Sequence, residues 1–307
     1  MRVVALPTKT NFRGINFREV AFFEGPQGWA EFSPFLEYGY KESAPWLMCA
    51  IEAATKPAPK LYRTSVKVNG TIPALNNPAD IEGIVDSFPG VQTFKVKVGE
   101  NLAEDIARLA KVRSLRPKAK LRIDVNGTWS VQEAVTNLRA IYENIGSLEY
   151  VEQPCATGEE LRELKEKLKV DMKIAGDEVL RKASDPFAVD LNSAIDILML
   201  KVQPLGGIAR AHKLAEHHKL PVVISSALES AVGINYGLQL AASFPEMDFD
   251  CGLGTGSLLS ANVADLPIVN GAIDITDVEP DFAGLEVAPE RYEWWKNRVM
   301  KTAELLC

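Results

Sequence analysis

Five charged side chains stand at the ends of five apolar runs: Lys97, Asp124, Glu152, Asp177 and Lys201. The successive intervals are 124−97 = 27, 152−124 = 28, 177−152 = 25 and 201−177 = 24 residues. Two amines facing three carboxylates form a candidate reaction centre if the chain brings them to one place. Three carboxylates with no nearby histidine or cysteine make a hard, all-oxygen donor set, which favours Mg²⁺, with Mn²⁺ as a substitute, over zinc. Lys95 stands two residues before Lys97, so on a strand both amines point to one side of the sheet. In a run otherwise built of Phe94, Val96 and Val98, that side would be the lumen of a barrel. A like charge nearby and partial desolvation disfavour protonation and bring a lysine toward service as a base near neutral pH. The competing account of this run is an exposed edge strand with solvated lysines. For each acid taken singly, the competing account is a strand-end salt bridge or a helix cap.

Each interval also holds a segment of helical periodicity, the beat of a repeated strand-then-helix unit. When such units close into a barrel, every strand presents its C-terminal end to the same mouth, so residues far apart in sequence converge. Strands are predicted over 71–75, 93–98, 121–125, 148–152, 173–176, 195–202, 222–225 and 249–253. Helices are predicted over 102–113, 131–145, 159–168, 207–219 and 230–243, with a short one near 185–191. About eight strands at a spacing of about 25 residues predict an α/β fold of the modified (β/α)8 type. An open doubly wound sheet finds no Gly-x-Gly-x-x-Gly run to support it, and Gly252-Leu-Gly-Thr-Gly256 has the wrong spacing.

The N-terminal part is different in kind. Residues 16–23 and 28–32, separated by Gly25-Pro26-Gln27-Gly28, predict an antiparallel hairpin. Ser43 fits the N-cap of a helix through about Thr55, with Ala44, Trp46, Leu47, Ala50 and Ile51 as its apolar stripe. The expected organisation is an α+β capping domain over 1–68, a barrel over 69–275, and a C-terminal segment, 276–307, returning to the cap. The polar stretch from Thr8 to Arg13 reads either as a loop over the barrel mouth or as an exposed tip.

Composition excludes several functions. With 34 basic against 41 acidic residues the net charge is −7, which argues against nucleic acid or an anionic membrane as partner. A small-molecule partner is expected, and oligomeric state is left open. Cys49, Cys155, Cys251 and Cys307 stand singly and read as reduced thiols. The opening MRVVALPTKT has too short an apolar run for a signal peptide, and no stretch approaches the roughly 20 apolar residues that span a bilayer. A cytoplasmic location is therefore expected. His212, His217 and His218 lie five and six residues apart on one predicted helix, on different faces, which argues against a zinc site. No P-loop pattern occurs.

Lys95-Val-Lys97, Asp124-Val-Asn126, Glu152-Gln-Pro154, Asp177-Glu178 and Lys201 together resemble the signature of the enolase superfamily, in its muconate-lactonizing subgroup. The resemblance covers nearly the whole chain, since the N-terminal α+β unit is similar to the capping domain of that family. It implies a (β/α)7β barrel, Mg²⁺ held by Asp124, Glu152 and Asp177, and a carboxylate substrate that loses the proton α to its carboxylate. It further implies Lys97 as base and then acid, with Lys201 as an ammonium on the opposite wall. Within the subgroup, Ser43-Ala-Pro-Trp-Leu47, Lys201-Val-Gln-Pro-Leu-Gly-Gly207 and Ser225-Ser-Ala-Leu-Glu-Ser230 are similar to members that dehydrate a cyclohexadiene carboxylate. Racemisation or epimerisation of N-succinyl amino acids or dipeptides is the nearer rival, and a catalytically dead, metal-stabilised binding protein the more distant one. Asn126 shares a face with Asp124 and is expected to orient it. Arg122, on the same face, fits either a substrate carboxylate or a neighbouring acid. Ser225, Ser226 and the backbone at Gly254 fit either a second carboxylate or plain turn geometry.

Overall fold

The computed structural model describes residues 1–12, 14–75, 77 and 79–306, with Phe12 described by its backbone only. Arg13 and Cys307 lie outside the described residues. The chain opens with three antiparallel strands, β1 (Arg2–Phe12), β2 (Ile15–Gly25) and β3 (Gly28–Phe32). Thr8 to Phe12 is not a loop: it continues β1, whose pairing with β2 shifts register between Pro7 and Phe12. Helix α1 (Tyr40–Thr55) packs on this sheet through Trp46, Leu47 and Ala50. Its N-cap is Gly39 rather than Ser43, because the Glu42 carboxylate reaches back to the Gly39 N–H at 3.2 Å. Ser43 lies one turn inside and donates its hydroxyl to the Gly39 carbonyl at 2.8 Å.

After β4 (Ser65–Lys67) the barrel begins with β5 (Gly70–Ile72), followed by α2 (Asp80–Asp86), a short helix that the sequence pattern did not reveal. Strand β6 (Thr93–Lys97) and α3 (Leu102–Leu115) come next, then β7 (Lys120–Asp124) and α4 (Val131–Ile145). Strand β8 (Tyr150–Glu152) leads to α5 (Gly158–Lys167), and β9 (Ile174–Gly176) to the single turn α6 (Glu178–Arg181). That turn replaces the short helix expected near 185–191. The series ends with β10 (Ile197–Lys201), α7 (Val202–Leu205), α8 (Ile208–His218), β11 (Val222–Ser225) and α9 (Ala231–Ala242).

Among the described residues, β5 to β11 form one parallel sheet of seven strands in sequence order. Its two edges are joined through the eighth position, where Cys251 bridges to Val68 and Gly252 to Ser225. The predicted strand over 249–253 is reduced to these two bridges because the chain turns at once into a 3₁₀ helix, Gly254–Leu258. Side chains alternate across this wall. Phe94, Val96, Leu121, Ile123 and Leu198 join the apolar layer beneath the helices, while Tyr150, Ile197, Met199 and Phe249 form a separate buried group that fills the lower lumen. Strand β12 (Ala272–Asp274) pairs with β4, and α10 (Pro289–Ala303) lies against α1.

Two carboxylates from the N-terminal unit fasten it to the barrel. Glu52 of α1 accepts from the Ile208 N–H at 2.5 Å, at the start of α8, and from the Tyr236 hydroxyl at 2.8 Å. Glu31 of β3 accepts from the N–H groups of Ser230 at 3.1 Å and Gly233 at 3.0 Å, at the start of α9. Helix N-termini present unpaired N–H groups and a positive dipole end, so both contacts are charge-assisted. Each needs a glycine. A Cβ on Gly207 would meet Glu52 Oε1 at 2.5 Å, and one on Gly233 would meet Glu31 Oε2 at 2.6 Å.

Beside Glu31 lies a second buried acid. Burial, with Glu31 as a like-charged neighbour, pushes the Glu229 carboxyl from 4.5 up to about 7. A carboxyl whose folded value is raised stabilises the fold most below its unfolded value and loses that contribution as pH rises through the folded one, on the order of 3 kcal/mol in all. Glu229→Gln is therefore expected to flatten the fall in stability between about pH 4.5 and 8 and to be the more stable protein at the alkaline end, measured as urea midpoints across that range.

Candidate active site

Parallel register sets the level of each charged side chain. Lys97 pairs with Asp124 across β6 and β7, and Asp124 with Glu152 across β7 and β8, so three charges sit side by side at one end of the sheet. Lys97 Nζ donates to Asp124 Oδ2 at 2.5 Å and to Asn126 Oδ1 at 2.8 Å. Lys95 Nζ donates to Glu152 Oε2 at 2.7 Å and stands 3.3 Å from Asp124 Oδ2. Across the barrel, Lys201 Nζ donates to Asp177 Oδ2 at 2.6 Å. Counting β5 as the first position, β6 is the second and β10 the sixth of eight, so Lys97 and Lys201 rise from opposite walls. Both line one small cavity with Lys95, Asp124 and Asn126, and Glu152 and Asp177 lie buried beside them.

The electrostatics follow from burial. Desolvation lowers the Lys97 amine below its usual value, and the neighbouring Lys95 charge adds to the effect. Desolvation opposes the Lys95 charge too, but Glu152 and Asp124 outweigh it and raise that amine. Burial would raise the Asp124 carboxyl, yet Lys97 and Lys95 hold it well below the carboxylate range; Arg181 and Lys201 do the same for Asp177. Glu152 is the exception. Burial and then the Asp124 charge push it up to about 7, and its Oε1 is buried with no hydrogen-bond partner. An orphaned oxygen on an under-compensated acid, within an all-oxygen set, fits a hard divalent cation. Among the described residues no three acids stand close enough to enclose an ion as they lie, with ammonium groups bonded to an oxygen of each.

The remaining predicted residues divide. Asn126 adopts φ 55, accepts from Lys97 and donates to Glu178 Oε1 at 3.2 Å. Ser225 and Ser226 line the cavity, and the Ser226 hydroxyl donates to the Gly252 carbonyl at 2.5 Å. Gly254 does not reach the cavity: its Cα faces the Asn69 carbonyl, and Gly252 and Thr255 line the wall instead. Arg122 does not reach it either. It lies two residues below Asp124, donates Nε to Glu149 at 2.5 Å and NH1 to Asn69 at 2.9 Å and the Asp250 carbonyl at 2.7 Å, and stacks on Tyr150. Of the two readings of Arg122, the neighbouring acid is the one realised.

Two residues were missed. Arg181 donates Nε to Asp177 Oδ1 at 3.0 Å, NH2 to Glu178 Oε1 at 2.6 Å and NH1 to the Tyr38 hydroxyl at 3.3 Å. Its position four residues after Asp177, one helical turn on, was the available signal. Gln153, at φ 41, accepts through Oε1 from the N–H groups of Asp177 at 2.9 Å and Val179 at 3.1 Å, tying the end of β8 to that of β9.

The sequence families described as Enolase C-terminal domain-like and Enolase N-terminal domain-like match residues 85–287 and 3–54, which gives the class: this is an enolase-superfamily chain. Its fold is shared with the L-Ala-D/L-Glu epimerase from Bacillus subtilis, at TM-score 0.74 and 23% identity over 93% of this chain and 98% of that one. The muconate lactonizing enzyme from Pseudomonas putida aligns at TM-score 0.72 and 18% identity over 95% and 97%. Much nearer in sequence are the o-succinylbenzoate synthases of Mycobacterium ulcerans, 47% identical over 100% of this chain and 94% of that one, and Mycolicibacterium smegmatis, 47% identical over 97% and 94%. The chain belongs to the o-succinylbenzoate synthase family. Members of the superfamily use a divalent metal.

Gln153→Ala would remove the acceptor of the buried Asp177 N–H and of the part-buried Val179 N–H and loosen the turn from β9 into α6 that carries Asp177. A loss of about 2–4 kcal/mol in stability is expected, together with divalent-cation binding weakened by about 10- to 100-fold, measured by denaturant titration and by calorimetry.

Proposed function

We propose that this chain is an o-succinylbenzoate synthase, a hydro-lyase that converts 2-succinyl-6-hydroxy-2,4-cyclohexadiene-1-carboxylate to 2-succinylbenzoate in menaquinone biosynthesis, in the cytoplasm. The observation that carries this reading is the pair of lysines on opposite walls of one cavity, in a chain 47% identical to synthases along its whole length. No helix among the described residues is long and apolar enough to cross a membrane.

Lys97 is the base. Its amine is depressed by burial and by Lys95, a shift toward the neutral form that a base requires. It takes the proton from the carbon α to the substrate carboxylate, and the C–H pair passes into the conjugated ring system. Lys97 then returns that proton to the hydroxyl as the C–O bond breaks. Water leaves, the ring becomes aromatic and the amine is neutral again. One residue serving both steps requires that proton and hydroxyl leave from the same face, a syn elimination. Lys201, fixed by Asp177, keeps an ammonium against the negative charge that develops on the other side. Asp124, Glu152 and Asp177 would hold Mg²⁺, or Mn²⁺ in its place, which supplies Lewis-acid stabilisation of the substrate carboxylate. Asn126 and Gln153 hold the first and third of these acids in place.

Racemisation of N-succinyl amino acids needs the same opposed lysines, with Lys201 delivering a proton. The epimerase likeness, at 23% identity, speaks for the fold alone.

Turnover is expected to be Mg²⁺-dependent, followed as loss of diene absorbance and abolished by EDTA. Lys97→Ala should lower kcat by about 10²- to 10⁴-fold while the circular dichroism spectrum stays that of the parent. Turnover retained by folded Lys97→Ala overturns the assignment of the base; deuterium exchange into N-succinyl amino acids without diene loss moves the reading to a racemase.

A further inference from the structure

The small cavity opens sideways by two grooves of opposite charge. On the Lys97 side, a groove of about 440 Å³ runs under the first hairpin and carries Glu100, Glu104 and Asp105 against Lys97 and Arg108. On the Lys201 side, a groove of about 300 Å³ carries Lys41, Arg181, Lys182 and Arg210 against Glu42 alone. Tyr38, Trp46, Arg181 and Pro204 line both this second groove and the cavity, so the two are continuous.

The basic groove is under-compensated. Glu42 is turned back onto the Gly39 N–H, and Arg181 is committed to Asp177 and Glu178. Among the described residues, Lys41, Lys182 and Arg210 have no ion-pair partner. Arg210 Nε is buried without any hydrogen-bond partner, beside the Phe187 ring at 5.8 Å. A buried guanidinium N–H left unpaired is costly unless something arrives to accept from it. The acidic groove shows the contrary pattern: Asp105 holds Arg108 at 2.8 Å, and Glu100 and Glu104 are left as excess negative charge. A chain of net charge −7 repels a polyanion at long range, so any attraction has to be local.

We infer that the groove formed by Lys41, Lys182 and Arg210 is a docking site for the distal carboxylate of a dicarboxylate ligand, and the side by which that ligand reaches and leaves the cavity. This rests on the proposed function in so far as substrate and product there are dianions. Their ring carboxylate belongs over the strand-end acids. The flexible arm, extending past Tyr38 and Arg181, meets three cations that have no ion-pair partner. The three residues are outside the proton-transfer machinery and act on capture rather than on chemistry.

The test is the triple variant Lys41→Gln/Lys182→Gln/Arg210→Gln, with Glu100→Gln/Glu104→Gln as its counterpart in the other groove. For the parent, kcat/KM is expected to fall severalfold between roughly 20 and 200 mM salt. For the triple variant it should start about tenfold lower, show little salt dependence, and keep the parent kcat; the acidic-groove variant should show no such loss. Equal kcat/KM and equal salt slope in parent and triple variant overturn the inference. Calorimetry separates it from the synthase reading. If neither protein turns over the diene, the synthase reading falls, and titration with 2-succinylbenzoate against benzoate decides the groove. Weaker binding of the dianion alone by the triple variant supports it, and equal binding of both overturns it.

Discussion

Everything at the barrel mouth depends on the cost of keeping ionised groups out of water. Lys95, Asp124, Glu152, Asp177 and Lys201 are each less than a tenth exposed, and a charge so placed survives only beside a partner. Parallel register supplies the partners, since strands in step bring Lys97 level with Asp124 and Asp124 level with Glu152. The same compensation divides the work. Lys95 is pinned as an ammonium by two acids, and its fixed charge then depresses Lys97. Two chemically identical side chains, one strand pleat apart, are thereby shifted in opposite directions.

A second constraint fixes how the mouth can be reached. Glu31 and Glu52 plug the N-termini of α9 and α8, each against a glycine that leaves room for nothing larger. Contacts of this kind, buried and charge-assisted, resist sliding because each withdrawal leaves a carboxylate and several N–H groups unpaired. The roof is therefore held in place, and the route proposed for the ligand runs beneath its edge, along the basic groove beside α1.

The convergence of charged strand ends was legible because chemistry and periodicity agree in this fold: a polar residue ending an apolar run, repeated every 24 to 28 residues, is what a barrel mouth requires. Depth was less legible. Arg122 shares a face with Asp124, as period-two alternation demands, but two residues amount to about 6.6 Å along a strand. That distance separates the reacting layer from the packing layer below it. Arg181 and Gln153 were missed for a related reason. Both depend on the turns that follow strands: Arg181 reaches Asp177 from the helical turn after β9, and Gln153 and Asn126 both take φ above +40, a conformation that no propensity of Gln announces. Ser43 was misjudged as a cap because Gly39 and Glu42 together offer the N-terminus a better termination one turn earlier. The strand expected over 249–253 shrank to two bridges for want of length before the 3₁₀ turn, although its two paired residues are those that join the sheet's edges.

Charge at the centre also relates the two components the reaction needs. With Lys97 neutral as the proposed base, Lys95, Arg181 and Lys201 stand against Asp124, Glu152, Asp177 and Glu178, so 3−4 = −1 and the protein's own groups nearly balance. The ligand's ring carboxylate alone would leave such a site at −2, and a divalent cation alone at +1, in surroundings where uncompensated charge is expensive. Brought in together they restore neutrality. Each then favours the binding of the other, by the same factor in both directions. Glu152, pushed up to about 7 while its Oε1 waits without a partner, is where the balance is least complete and where an arriving cation has most to gain. The fold thus holds its charges in a state that tolerates neither ligand well alone and accommodates the pair.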